Sequence, residues 1–154
     1  MHSRFLVPVF LAAAIAFACG PRSRSSAEPA TTAASQQRMS TKEPLASSLD
    51  VAVAKGVTFA FHVTNNTDKH VELRFPSGQT HDITVVDSTG RELWRWGAGR
   101  MFTQSLQNKL LDSRETVTYQ ERWDAAEYHG HATAIARLTS PNFPVETRVD
   151  VALP

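Results

Sequence analysis

From position 45 onward, apolar and polar side chains alternate in short runs separated by turn residues. Val57, Phe59, Phe61 and Val63 face one way, and Thr58, Ala60, His62 and Thr64 the other. Period-two alternation of this kind marks a half-buried strand. The same pattern recurs in Leu49, Val51 and Val53, in Val71, Leu73 and Phe75, and in Ile83 and Val85. It returns in Val117, Tyr119 and Trp123, in Ala132, Ala134, Ala136 and Leu138, and in Val145, Val149, Val151 and Leu153. Lys55-Gly56, Asn65-Asn66-Thr67-Asp68, Pro76-Ser77-Gly78 and the loop holding Pro141 and Pro144 separate the runs. About eight short strands at regular spacing, with no long helical pattern, predict an all-β fold: an antiparallel, immunoglobulin-like β-sandwich.

The stretch from Thr80 to Phe102 organises the rest. Asp87-Ser88-Thr89-Gly90 is turn chemistry, because Asp and Ser bond nearby amides and Gly accepts positive φ. On the returning strand Trp94 and Trp96 stand two residues apart and therefore share a face. Beyond Gly97 the period changes. Phe102, Leu106 and Leu110 recur every four residues, which predicts a short helical lid loop plugging an open end of the sandwich. On this reading Gln104, Gln107, Asn108 and Lys109 form an exposed partner-binding side. Asp82, Trp94, Trp96, Phe102 and Leu106 brace the loop, with Asp82 bonding backbone amides after Trp96.

The N-terminal third has a different character. Residues 1–18 begin with Arg4 near the start, then run apolar from Phe5 to Ala18, too short to span a bilayer and suited to an export signal. Ala16-Phe17-Ala18 matches an ordinary cleavage site. Cys19, the chain's one cysteine, stands where the lipobox of bacterial lipoproteins has its acylated residue, and the segment resembles that motif. The resemblance implies lipidation at Cys19 and a membrane-anchored lipoprotein facing the periplasm or cell exterior. Plain secretion with cleavage at the same bond is the alternative. Residues 19–44, rich in Ser, Ala, Thr, Pro and Gln, predict a disordered tether, and 45–154 the folded domain.

Charge changes the picture only by exclusion. The formal +1 of the chain is uneven. After Pro44, eleven basic residues face thirteen acidic ones, a net charge of −2 with no basic stripe. A nucleic-acid surface is therefore not expected.

Several motifs then point to a family. Val63-Thr64-Asn65-Asn66, Phe75-Pro76-Ser77-Gly78-Gln79 and His81-Asp82-Ile83 come first. Val86-Asp87, Gly90, Glu92-Leu93-Trp94-Arg95-Trp96, Phe102-Thr103-Gln104 and Trp123 follow in order. Together they resemble the BsuPI family of intracellular proteinase inhibitors over about Val57 to Leu138. Two turns depart from that pattern. Asp112-Ser113-Arg114-Glu115 stands where the family often has Pro-Gly, and Gly130-His131-Ala132 where it tends to have Gly-x-Tyr. The resemblance implies a β-domain and, by its name, inhibition of a serine protease.

Catalytic readings find little support in the residues. Asp87-Ser88-Thr89-Gly90 has one residue too many for an aspartic-protease loop, and no second copy exists to share a proton. His129 and His131 lack a third ligand nearby in sequence, so no metal is expected. No Gly-x-Ser-x-Gly turn occurs. The expectation is a non-enzymatic, protein-binding module without cofactor or small-molecule substrate, whose end loops engage another protein, with a serine protease as the partner the resemblance implies. The alternative is a structural or assembly module of the bacterial cell envelope without inhibitory activity.

Overall fold

The period-two runs become strands. The computed structural model describes residues 31–33 and 43–153, and among these it contains ten strands and no helix. One antiparallel sheet consists of β1 (Thr31–Ala33), β2 (Leu45–Val53), β3 (Val57–Asn65) and β8 (Thr116–Trp123), in that order. A second has the order β10 (Val145–Leu153), β9 (Gly130–Leu138), β5 (His81–Asp87) and β6 (Glu92–Arg95). A two-stranded ribbon pairs β4 (Val71–Phe75) with β7 (Gln107–Leu111).

The inner faces of these sheets meet in one core. Leu49, Val51, Phe59, Phe61 and Val63 come from the first sheet, and Ile83, Val85, Ala134, Ala136 and Val151 from the second. Leu73, Phe75 and Leu111 extend the core under the ribbon. The fold is thus an antiparallel β-sandwich. To that core β9 contributes small side chains (Ala132, Ala134, Ala136) and β3 large rings (Phe59, Phe61).

Two expectations need correction. The period-four reading of Phe102, Leu106 and Leu110 gives no helical turn: positions 107–111 form β7, registered Val71 to Leu111 and Phe75 to Gln107. Leu106 and Leu110 are 82 % and 55 % exposed, so neither plugs the sandwich. The cause is local. Only Leu111 of β7 is buried, and Gln107 and Lys109 occupy the same face, so the strand carries no apolar alternation to read.

The second correction concerns the tether. Thr31–Ala33, inside the segment expected to be disordered, pairs antiparallel with Val51 to Val53. The outer edge of β2 presents unpaired N–H and C=O groups, and an extended segment of any composition satisfies them. Residues 1–18, Cys19 and the remainder of the tether up to position 42 lie outside the described residues.

Candidate functional site

Trp94 and Trp96 lead two separate aromatic layers between the sheets. Trp94 pairs with Val85 across the β5–β6 ladder and stacks on Phe59, with ring centroids 5.4 Å apart, and on Trp123 at 5.6 Å. Tyr128 continues that layer against Trp123. Trp96, just past β6, donates its backbone N–H to Ile83 O at 2.8 Å. Its indole stacks on His81 at 4.2 Å, and His81 on Tyr119 at 4.4 Å. Burial therefore enlists both tryptophans on the inward face, but only Trp96 touches the loop that follows.

That loop, residues 97–106, is held at its base by Asp82. The carboxylate accepts from Arg95 Nε at 2.7 Å through one oxygen and from Gly97 N at 3.1 Å through the other. Space at position 97 is tight: a Cβ there would come 2.9 Å from Gln79 Nε2 and 3.2 Å from Asp82 Oδ1, so a side chain would displace the tip of Gln79 and press on the carboxylate. Arg95 is held charged above its ordinary range by its hydrogen bond and charge pairing with Asp82.

Farther along, the loop returns to the same indole twice. Arg100 lies over the Trp96 ring at 4.6 Å, and its Nε donates to Trp96 O at 2.8 Å. Phe102 packs against Trp96 with ring centroids 5.4 Å apart and the planes tilted by 40°. The N–H of Gly78 then donates to Thr103 O at 2.9 Å, fastening the loop to the β4–β5 turn. Met101, between the two anchored residues, is 99 % exposed. Its neighbours on either side, Arg100 and Phe102, are the two that contact the Trp96 ring.

Beneath the loop sits a polar pair that the sequence reading left unassigned. His81 is buried, with Nε2 3.2 Å from Glu121 Oε1 and Nδ1 3.2 Å from Thr80 Oγ1. Burial pushes the imidazole below its ordinary value, while Glu121 and Asp82 pull it back up. Arg100 Nη2 lies 3.9 Å from the other Glu121 oxygen, so Glu121 joins the buried histidine to the loop. Desolvation also raises the Tyr119 hydroxyl above its ordinary range.

The residues expected on the partner-binding side are placed less tellingly. Gln104 Nε2 donates to Phe102 O at 3.2 Å and Gln107 Nε2 to Ser105 Oγ at 3.0 Å. Asn108 Nδ2 donates to Glu72 Oε1 at 3.0 Å across the β4–β7 ribbon, and Lys109 is half-buried opposite Leu73. The three amide side chains thus each make a hydrogen bond within this part of the fold. Of the expected braces, Asp82, Trp96 and Phe102 touch the loop, Trp94 packs one layer below, and Leu106 braces nothing because it faces solvent.

Elsewhere the chemistry is that of turns. Asp87 Oδ1 accepts from the Thr89 hydroxyl and amide and from Arg91 N, with Gly90 at φ 85°. The Thr89 hydroxyl bond, followed by the two amides and Arg91, holds the Asp87 carboxyl down at about 2. Among the described residues no three His, Cys, Asp or Glu side chains converge to hold a metal ion. No described helix is long and apolar enough to cross a membrane.

The family model described as BsuPI, intracellular proteinase inhibitor, matches residues 45–142, the sandwich from β2 to the turn before β10. The chain belongs to the BsuPI family. No curated protein matches it. Membership makes a protease the general class of partner for this BsuPI domain. It also corrects the expected address: the family is described as intracellular, which conflicts with an exported, membrane-anchored lipoprotein, and that expectation falls.

Within the BsuPI domain, the residue most conspicuous in space, Met101, was missed in the sequence. Its signal was available as an apolar residue isolated between Gly97-Ala98-Gly99-Arg100 and Phe102, with no partner at spacing two or four. His81 also had one, since it is in phase with Ile83 and Val85 on the inward face of β5.

Proposed function

We propose that this protein inhibits a serine protease of subtilisin-like preference by presenting the loop 97–106 to the protease cleft, with Met101 entering the primary specificity pocket. The observation that carries this reading is the arrangement around Trp96. Arg100 and Phe102 are both anchored on its ring, while Met101 between them is 99 % exposed. A substrate-like inhibitor needs such a loop, because a segment already held in its bound shape loses little entropy on binding. Many small inhibitors brace the loop with disulfides; here an aspartate, an indole and a backbone bond to Gly78 do so.

The distribution of exposed apolar side chains agrees. All the large hydrophobic side chains exposed among the described residues, Met101, Leu106 and Leu110, fall between positions 101 and 110. Concentrated apolar exposure on an otherwise polar surface marks a contact site.

Titrating the full chain against a subtilisin-type protease tests the proposal. Stoichiometric inhibition is expected, with Met101→Asp raising the inhibition constant by at least about a hundredfold, or about 2.7 kcal/mol. Lys55→Ala, in the β2–β3 turn, is expected to inhibit as the wild type does. No inhibition at stoichiometric excess, or equal inhibition by Met101→Asp, overturns the reading.

A further inference from the structure

We propose that Met101 is an oxidation site through which peroxide switches the inhibitory loop off. This rests on the loop reading above and adds regulation to the same site. Met101 carries the one sulfur atom among the described residues, and it stands in solvent. Met101 is 99 % exposed, whereas Trp96, Trp123 and His81 are buried and Trp94 is packed between Phe59 and Trp123. Met1, Cys19 and Met39 lie outside the described residues, so peptide mapping must separate them from position 101.

The chemistry is closed. The sulfur of Met101 attacks one oxygen of hydrogen peroxide with its lone pair, the O–O bond breaks, an S=O bond forms, and water leaves. Sulfur is oxidised and peroxide reduced. A flexible apolar side chain becomes a polar one, which an apolar pocket rejects. A methionine sulfoxide reductase reverses the step: its dithiol is oxidised to a disulfide and the oxygen leaves as water.

The bracing around Met101 decides why oxidation would act there as a switch. Asp82, Trp96 and the Gly78–Thr103 bond involve no sulfur, and they hold the loop's backbone whether or not Met101 carries oxygen. Oxidation would therefore change the presented side chain and leave the fold intact.

The test treats the full chain and its Met101→Leu variant with hydrogen peroxide, maps oxygen addition by peptide mass, and titrates each against the subtilisin-type protease. Each sample is compared with its own untreated form. The wild type should lose at least about tenfold in affinity, equivalent to about 1.4 kcal/mol, in proportion to oxygen gained at position 101. Its urea midpoint should hold, and methionine sulfoxide reductase with a dithiol should restore inhibition. Treated Met101→Leu should match untreated Met101→Leu. Inhibition that survives full conversion of Met101 to the sulfoxide overturns the inference, and so does a loss that the reductase does not restore or that Met101→Leu shares. Absence of inhibition before any peroxide is added overturns the loop reading itself, and this inference with it.

Discussion

Asp82 ties the start of the loop after β6 to β5 from a single position. Its side chain is buried, yet both oxygens are matched, one to a guanidinium and one to an amide that begins the loop. A buried carboxylate is tolerable only on such terms. Replacing Asp82 by Asn keeps the volume but puts an N–H₂ where one of those donors must be received. Charge-assisted hydrogen bonds contribute about 1.5–3 kcal/mol, and a buried donor left without a partner costs a similar amount. Asp82→Asn is therefore expected to lower the unfolding free energy by about 1–3 kcal/mol in urea titrations. The Gly97 amide should at the same time exchange hydrogen faster relative to amides of β3. Unchanged exchange at Gly97 would mean that Asp82 does not fasten the loop.

At the scale of elements, the decisive contrast is between Leu111 on β7 and the two leucines that precede it. Leu111 is fully buried, packed in the same core as Leu73 and Phe75, while Leu106 and Leu110 face solvent. Truncating a buried leucine removes transfer energy and leaves a cavity, typically 2–5 kcal/mol. Exposed positions away from special features shift stability by less than about 0.5 kcal/mol. Leu111→Ala should thus destabilise by about 2–5 kcal/mol, with Leu106→Ala nearly neutral. A helical lid would reverse that order. Strands with one apolar face, such as β3 and β9, could be read from alternation because burial selects every second side chain. β7 could not, since one buried residue makes no period, and β1 could not because backbone pairing needs no particular side chains. The site divides in the same way. Trp96 and Asp82 could be anticipated, an indole in phase with its strand and a carboxylate beside it, whereas an outward methionine obeys no periodicity and emerges only from the folding of its neighbours onto one ring.

Across the whole molecule, stability rests on a core with no internal disulfide, so its response to acid is written by a few buried or bonded groups. His81 is kept neutral by burial, with its folded value below the 6.5 of an exposed imidazole despite Glu121 and Asp82. Above about pH 6.5 both folded and unfolded chains hold it neutral and it adds no pH dependence. As pH falls below 6.5 the unfolded chain takes up a proton that the native state does not. Protons bound then favour the unfolded state, so stability declines until the lowered folded value is passed. Glu146, drawn below its ordinary range by Arg137 and Arg148 against desolvation, and Asp87, at about 2, act later and with the usual carboxylate sign. Their contributions persist above 4.5 and 3.8 and vanish only on further acidification. The wild-type urea midpoint should therefore decline from pH 7 to 5 before any carboxylate limb begins. His81→Gln should decline less steeply over that interval, whatever its absolute stability, because glutamine fills the layer between Trp96 and Tyr119 and removes that titrating group. Parallel slopes for the two proteins between pH 7 and 5 would show that the buried imidazole is protonated equally in both states, and would remove it from the molecule's acid response.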